Sequence, residues 1–162
     1  MRLAYNVSLI RPRCSIRAHE RPGFLVTKSG LEFPSTDVDS TAEIEPAALG
    51  QEAGVVWIDE PALFSDEENL YSAVTSLRAR VPVIVSGLSA TSEMEPFGKS
   101  MPRLLAVADR VILLRADCDM CGAFDAATRS LCLKTKEGQV LVGGSDVYKA
   151  ACPNCWALSL RT

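Results

Sequence analysis

Two Cys-x-x-Cys pairs carry the residue types and spacing best suited to chemistry: Cys118-Asp-Met-Cys121 and Cys152-Pro-Asn-Cys155. Zn2+ takes four soft ligands in a tetrahedron, and two such knuckles joined by a hairpin supply them. Residues 122 to 151 lie between the pairs. That is longer than a plain zinc ribbon needs, so an extra loop is expected there. Four cysteine ligands leave no open coordination position, so such a metal holds structure. Free or redox-active thiols are the alternative reading. Cys14 and Cys132 fall outside this scheme and read as ordinary half-buried small residues.

The second constellation is Asp59-Glu60, reached by the apolar run Gly54-Val55-Val56-Trp57-Ile58. A short continuous apolar run reads as a strand buried on both faces, typical of a parallel sheet. Acids are costly in that setting unless they sit at the strand end, facing a ligand or metal. Adjacent acids there could divide two jobs, one toward Mg2+ and one toward a proton. The plainer alternative is two solvated acids opening a loop. Arg17 lies in a loop after an earlier strand, where ligand faces of parallel sheets form, and an arginine there could meet a phosphate. His19 has no partner at informative spacing and reads as surface.

These residues need elements to position them. Tyr5 to Ile10 reads as a strand ended by Arg11-Pro12-Arg13, and Phe24 to Thr27 as a short one. A short helix fits around Pro46 to Glu52. After the strand at 54–59, Ser65 and Glu68 make a capping-box pattern, and Leu70, Val74 and Leu77 mark a helix over 66–80. Residues 81–88 form a second buried strand, roughly 101–109 a helix, and 110–116 a third buried strand. Strand, helix, strand, helix, strand is the alternation of a parallel sheet. After Ala116 the composition shifts to a hairpin and a glycine loop between cysteine pairs. The expected division is therefore 1–116 as an α/β domain and 117–162 as a small zinc-ribbon domain.

Composition bounds the rest. With 48% hydrophobic residues in 162, the chain can bury a real core. A net charge of -3 and a pI near 5.2 leave no basic stripe for nucleic acid. There is no apolar run of membrane-spanning length and no secretory pattern at the N-terminus, so a cytoplasmic location is expected.

In order along the chain stand Arg11-Pro12 and Arg17, Val56-Trp-Ile-Asp59-Glu60 and Phe64, Val83-Ile-Val-Ser-Gly87-Leu88, and Pro96-Phe97-Gly98. A Leu-Leu-Ala-Val-Ala-Asp helix, Cys118-x-x-Cys121-Gly122, Val142-Gly143-Gly144-x-x-x-Tyr148 and Cys152-x-x-Cys155 follow. This series resembles the zinc-containing (type II) thymidine kinases from Tyr5 to Cys155. The resemblance implies a P-loop-kinase-like α/β sheet with a small zinc-ribbon and lasso subdomain. It implies ATP- and Mg2+-dependent phosphoryl transfer to the 5′-hydroxyl of thymidine. Glu60 falls on the family's general base, Asp59 on its metal-side acid, and Arg17 on the arginine approaching the phosphates. Leu88 and Phe97 fall in segments lining the nucleoside pocket. Val142, Gly143 and Gly144 fall in the lasso, and Tyr148 on the tyrosine closing over the nucleoside. Structural Zn2+ anchors the lasso, and the family usually forms a homotetramer.

The chain also departs from that pattern. The family's Gly-x-x-x-x-Gly-Lys-Ser/Thr loop does not occur in these residues, and Gly98-Lys99-Ser100 mimics only its last three letters by coincidence. Ser15, Ala62-Leu63, Ser89, Ser92 and Pro153 replace residues usual in the family. Impaired catalysis is the expectation, with truncation or true loss of the phosphate loop as its two origins. A non-catalytic nucleoside-binding module, or a zinc-stabilised regulatory or interaction module, is the alternative.

Overall fold

The computed structural model describes residues 6–17, 20–27, 29–50, 53–134 and 143–160. They form two compact units, one from residues 1–89 with 97–106, the other from 90–96 with 107–162.

The first unit is built on a four-stranded parallel sheet. β1 (Val7–Pro12) lies at its centre, flanked by β4 (Thr36–Val38) and β5 (Val55–Asp59). β6 (Val83–Ser86) pairs with β5, giving the order β4-β1-β5-β6. Between β1 and β4, β2 (Phe24–Val26) and β3 (Glu32–Pro34) form a small antiparallel hairpin. Three helices follow in chain order: α1 (Ile44–Leu49), α2 (Leu70–Leu77) and α3 (Ser100–Val107).

Side chains alternate across each strand, and the two faces of this sheet differ. Ile10, Val56 and Ile58 are fully buried with Ile44 and Ala48 of α1, Leu70, Val74 and Leu77 of α2, and Met101 and Leu104 of α3. The opposite face is half open: Val7, Trp57 and Ile84 stay exposed there. Arg11, Asp59 and Ser86 stand on that open face, at the C-terminal ends of three strands. That is where parallel sheets present ligand sites.

Sequence expectation and structure differ at several elements. β1 runs through Pro12 rather than stopping at Ile10. The α2 helix begins at Leu70 after a 3-10 turn, and the expected capping box does not form. Asp66, not Ser65, is the tether, accepting hydrogen bonds from the Thr41 amide and hydroxyl. The third expected strand, 110–116, belongs to the second unit and is not a ladder strand. It makes a single bridge, Ala116 to Ala127, and leaves Leu113 and Leu114 more than 80% exposed. An apolar run marks strand propensity, but a strand forms only where a neighbour offers a free edge.

In the second unit β7 (Arg129–Cys132) pairs antiparallel with β8 (Tyr148–Ala151), and α4 (Pro153–Ser159) follows. Its buried cluster consists of Cys118, Ala127 and Cys152, packed by alanines and Cys155. Such small side chains bury little apolar area, so a core of this kind needs a staple.

Candidate functional site

The sharpest local feature of the first unit is the end of β5. Continued alternation would send the Asp59 and Glu60 side chains to opposite faces. Instead Glu60 adopts φ 47° and ψ 42°, a left-handed conformation uncommon outside glycine. The following Pro61 disfavours the right-handed alternative at Glu60. Two hydrogen bonds hold the turn: the Glu60 amide donates to the Ser86 carbonyl (2.8 Å), and the Leu63 amide to the Glu60 carbonyl (3.1 Å). Both carboxylates consequently line one cavity of about 90 Å3, with Arg11, Ser15, Arg17 and Glu20 among its other walls. Ligand pockets run to about 300–1,000 Å3, so this cavity is a corner for an ion or a phosphate group, not for a whole nucleoside.

Burial raises both acids above their ordinary values. Burial raises the Glu60 carboxyl, the neighbouring Asp59 charge raises it further, and Arg17 only partly offsets them, leaving it at about 6. Asp59 is also raised by burial, but a hydrogen bond from Ser86 and the charges of Arg11 and Arg17 pull it back. A carboxyl raised to about 6 suits proton exchange near neutral pH, and the acid beside it, hydrogen-bonded by Ser86, is placed to face a cation. Hard carboxylate oxygens also fit Mg2+, which binds through one or two carboxylates and takes its remaining ligands from water and phosphate.

Arg11 forms one wall of the cavity and is itself almost fully buried. Its guanidinium donates to Asp37 (2.9 Å), Glu20 (2.7 Å) and the Phe24 carbonyl (2.5 Å). Burial disfavours its charge, and the Asp37 and Glu20 carboxylates outweigh that. Asp37 also accepts from the Gly23 amide (2.6 Å), where φ is +81°. Arg11 thus ties β1, β2, β4 and the Arg17 loop together. Arg17 is exposed, and its amide points to Glu20 (3.4 Å).

Leu88 and Phe97, the expected nucleoside contacts within the first unit, are not among the residues lining this cavity. Leu88 is 46% exposed, and Phe97 packs against the main core with its amide on the Ser89 carbonyl (3.0 Å). Gly98-Lys99-Ser100 does open a helix, α3, but the anion position is filled. The Lys99 and Ser100 amides donate to the Glu67 carboxylate at 2.7 and 3.0 Å, and the Ser100 hydroxyl to the Glu67 carbonyl at 2.6 Å. A helix N-terminus attracts an anion, and here the chain supplies its own.

In the second unit the four expected metal ligands converge. The sulfurs of Cys118, Cys121, Cys152 and Cys155 all lie within 4.8 Å of one another. Zn–S bonds of about 2.3 Å in a tetrahedron put sulfurs roughly 3.8 Å apart, and the Cys121–Cys152 separation is 4.0 Å. The cluster can hold a metal ion such as zinc. Gly122, at φ +72°, lets the first knuckle turn back, its amide on the Cys118 carbonyl. Pro153 opens α4, placing Cys152 just before the helix and Cys155 in its first turn. Amides at Cys152, Cys121 and Met120 point to the Cys118 sulfur and lower its thiol to about 6, readying a thiolate.

Of the lasso residues, Val142 lies outside the described residues, as does His19. The Gly144 carbonyl accepts from the Val147 and Tyr148 amides (3.0 and 2.9 Å). A Cβ on Gly143 would meet Val147 at 2.4 Å, so only glycine fits. Tyr148 is half-buried on β8, and Cys132 is half-buried on β7. Cys14 is exposed rather than half-buried, its thiol donating to the Leu63 carbonyl (3.2 Å). Arg11, Glu20, Ser86 and Glu67 carried no expected site role, although Arg11 and Ser86 lie in stretches that resemble the family. One signal was available: Trp57 and Asp59, two apart on a strand, must share a face.

Parallel sheet, paired acids at a strand end and a four-cysteine cluster together define a mixed α/β protein with a cysteine cluster that could hold a metal. The family model described as "TK: Thymidine kinase" matches residues 1–156, and the chain belongs to the thymidine kinase family. A thymidine kinase of Mesomycoplasma hyopneumoniae (strain 7448) is 35% identical over 134 residues, covering 83% of this chain and 71% of the relative. One of Mycoplasma genitalium is 38% identical over 128 residues, covering 78% and 59%. One of Roseiflexus sp. (strain RS-1) is 35% identical over 144 residues, covering 84% and 72%. No helix among the described residues is long and apolar enough to cross a membrane.

Proposed function

We propose that this chain is a thymidine kinase-like protein in which Glu60 stands in the place of the group that takes the proton from the nucleoside 5′-hydroxyl as it attacks the γ-phosphate of ATP, a transfer that these residues alone do not complete. The observation that carries this is the left-handed Glu60, which brings a carboxyl with a pKa of about 6 into the cavity of Asp59. A base with a pKa just below neutral is mostly ionised at working pH and still a competent acceptor. Asp59 is the acid that would hold Mg2+, which when bound offsets phosphate charge. Arg17 stands in the same cavity as the phosphate contact. Arg11, with Glu20 and Asp37, keeps the Arg17 loop in place. Leu88, Phe97, Val142, Gly143, Gly144 and Tyr148 are assigned to the nucleoside on the family resemblance, structural Zn2+ to the four cysteines, and a homotetramer to the assembly.

The 162 residues contain no Gly-x-x-x-x-Gly-Lys-Ser/Thr segment, and the one Gly-Lys-Ser triplet is closed by Glu67. That second observation favours nucleoside binding without turnover by these residues alone. Two assays test the reading together. Thymidine should raise the melting temperature of the metal-loaded chain, and Glu60→Gln should retain that shift. Thymidine-dependent ATP turnover should be undetectable; turnover abolished by Glu60→Gln would overturn the impairment, and no thymidine shift would overturn nucleoside binding.

A further inference from the structure

Trp57, Ser86 and Asp59 form a hydrogen-bonded chain on the open face of the sheet. The indole Nε1–H of Trp57 donates to Ser86 Oγ (2.6 Å), and the Ser86 hydroxyl donates to Asp59 Oδ1 (2.5 Å). The register makes this possible. Asp59 and Ser86 are direct partners across β5 and β6, and Trp57 sits two residues before Asp59 on the same face. Serine has one hydrogen to give and lone pairs to receive. With the indole donating to it, its hydrogen is directed at the carboxylate. Each link polarises the next in such a chain. The Ser86 carbonyl meanwhile receives the Glu60 amide. A single residue therefore fixes the carboxylate of one acid and the backbone of the other.

We infer that Ser86, oriented by Trp57, is a positioning residue that sets the Asp59 carboxylate for a divalent or trivalent oxygen-seeking cation. The inference rests on the reading of Asp59 as the cation-holding acid. A carboxylate swinging about its terminal torsion must be ordered when the cation arrives; one already pinned through Oδ1 has less freedom to lose. Trp57 is bonded through one hydroxyl to that carboxylate, so its indole lies close enough to transfer excitation energy to a lanthanide held there.

Terbium(III), which prefers hard oxygen ligands, is the probe, applied to the zinc-loaded chain so that the cysteines are occupied. In a Trp156→Phe background, indole-sensitised terbium emission is expected to saturate, and to vanish when Trp57→Phe is added. By calorimetry, Ser86→Ala should weaken terbium binding about tenfold, equivalent to about 1.4 kcal/mol, and Ser86→Thr, which restores the hydroxyl, should recover most of it. Circular dichroism of each variant confirms that it folds. Asp59→Asn separates the two claims. If it abolishes binding and Ser86→Ala leaves binding within twofold of the parent, the relay is overturned and the site stands. If Asp59→Asn leaves binding unchanged, the cation site itself is overturned, and the relay with it.

Discussion

Replacing Glu60 by glutamine should make the protein more stable, and only above a certain pH. Glu60 is a buried carboxyl beside a second carboxylate, and its pKa stands at about 6 against a usual 4.5. A folded-state pKa raised above the unfolded value means the native state holds the proton more tightly. The stability contributed by protonated Glu60 is fully present below about pH 4.5 and is lost as pH rises through about 6. A shift of this size corresponds to about 2 kcal/mol. Glutamine keeps the size and polar tip of the side chain but never has to carry the charge. The variant should therefore match the parent near pH 4 and exceed it by about 2 kcal/mol near pH 8. Urea unfolding followed by Trp57 emission in a Trp156→Phe background reads the first unit alone. An equal gap at both pH values, or a variant weaker at high pH, would refute the electrostatic argument for Glu60.

Other expectations follow from neighbouring contacts. Arg11→Met strands Glu20 and Asp37 in the interior and should cost about 3–5 kcal/mol; replacing all three by apolar residues of matching volume should recover most of it in the same unfolding assay. Asp37 is raised by burial but lowered further by Arg11 and the Gly23 amide, for a net lowering. Its contribution is present above its unfolded pKa and lost as pH falls through the lower folded value, so acid should weaken the parent more than the apolar triple variant. Metal analysis should find one zinc per chain, and a strong chelator should abolish hydrogen-exchange protection on β7 and β8 while leaving β1 and β5 protected. Gly143→Ala should disturb the Val147 seat, visible as loss of protection at the Val147 and Tyr148 amides.

The metal cluster was legible because its information is local. Two pairs of knuckles at fixed spacing admit few arrangements, and Cys118, Cys121, Cys152 and Cys155 converge as the spacing demanded. The strand at 55–59 was legible from its continuous apolar run, and the helix carrying Leu70, Val74 and Leu77 from periodicity. What escaped depends on partners distant in sequence. Residues 110–116 have the composition of a strand, yet composition does not provide a neighbouring edge. Ser86 looks like any strand-end serine until register sets it opposite Asp59. Arg11 looks like a solvated loop arginine until Glu20 and Asp37 close over it. The left-handed turn at Glu60 was the largest surprise in the site, since adjacent acids on a strand are expected to diverge.

Nucleoside recognition by a member of the thymidine kinase family is the claim on which the rest depends. Calorimetric titration of the zinc-loaded chain with thymidine, and separately with deoxyguanosine, tests it most directly. Saturable heat with thymidine and none with deoxyguanosine is the expected result. Absence of heat and of thermal stabilisation with thymidine beyond about 1 mM, a free energy weaker than about -4.1 kcal/mol, would contradict it.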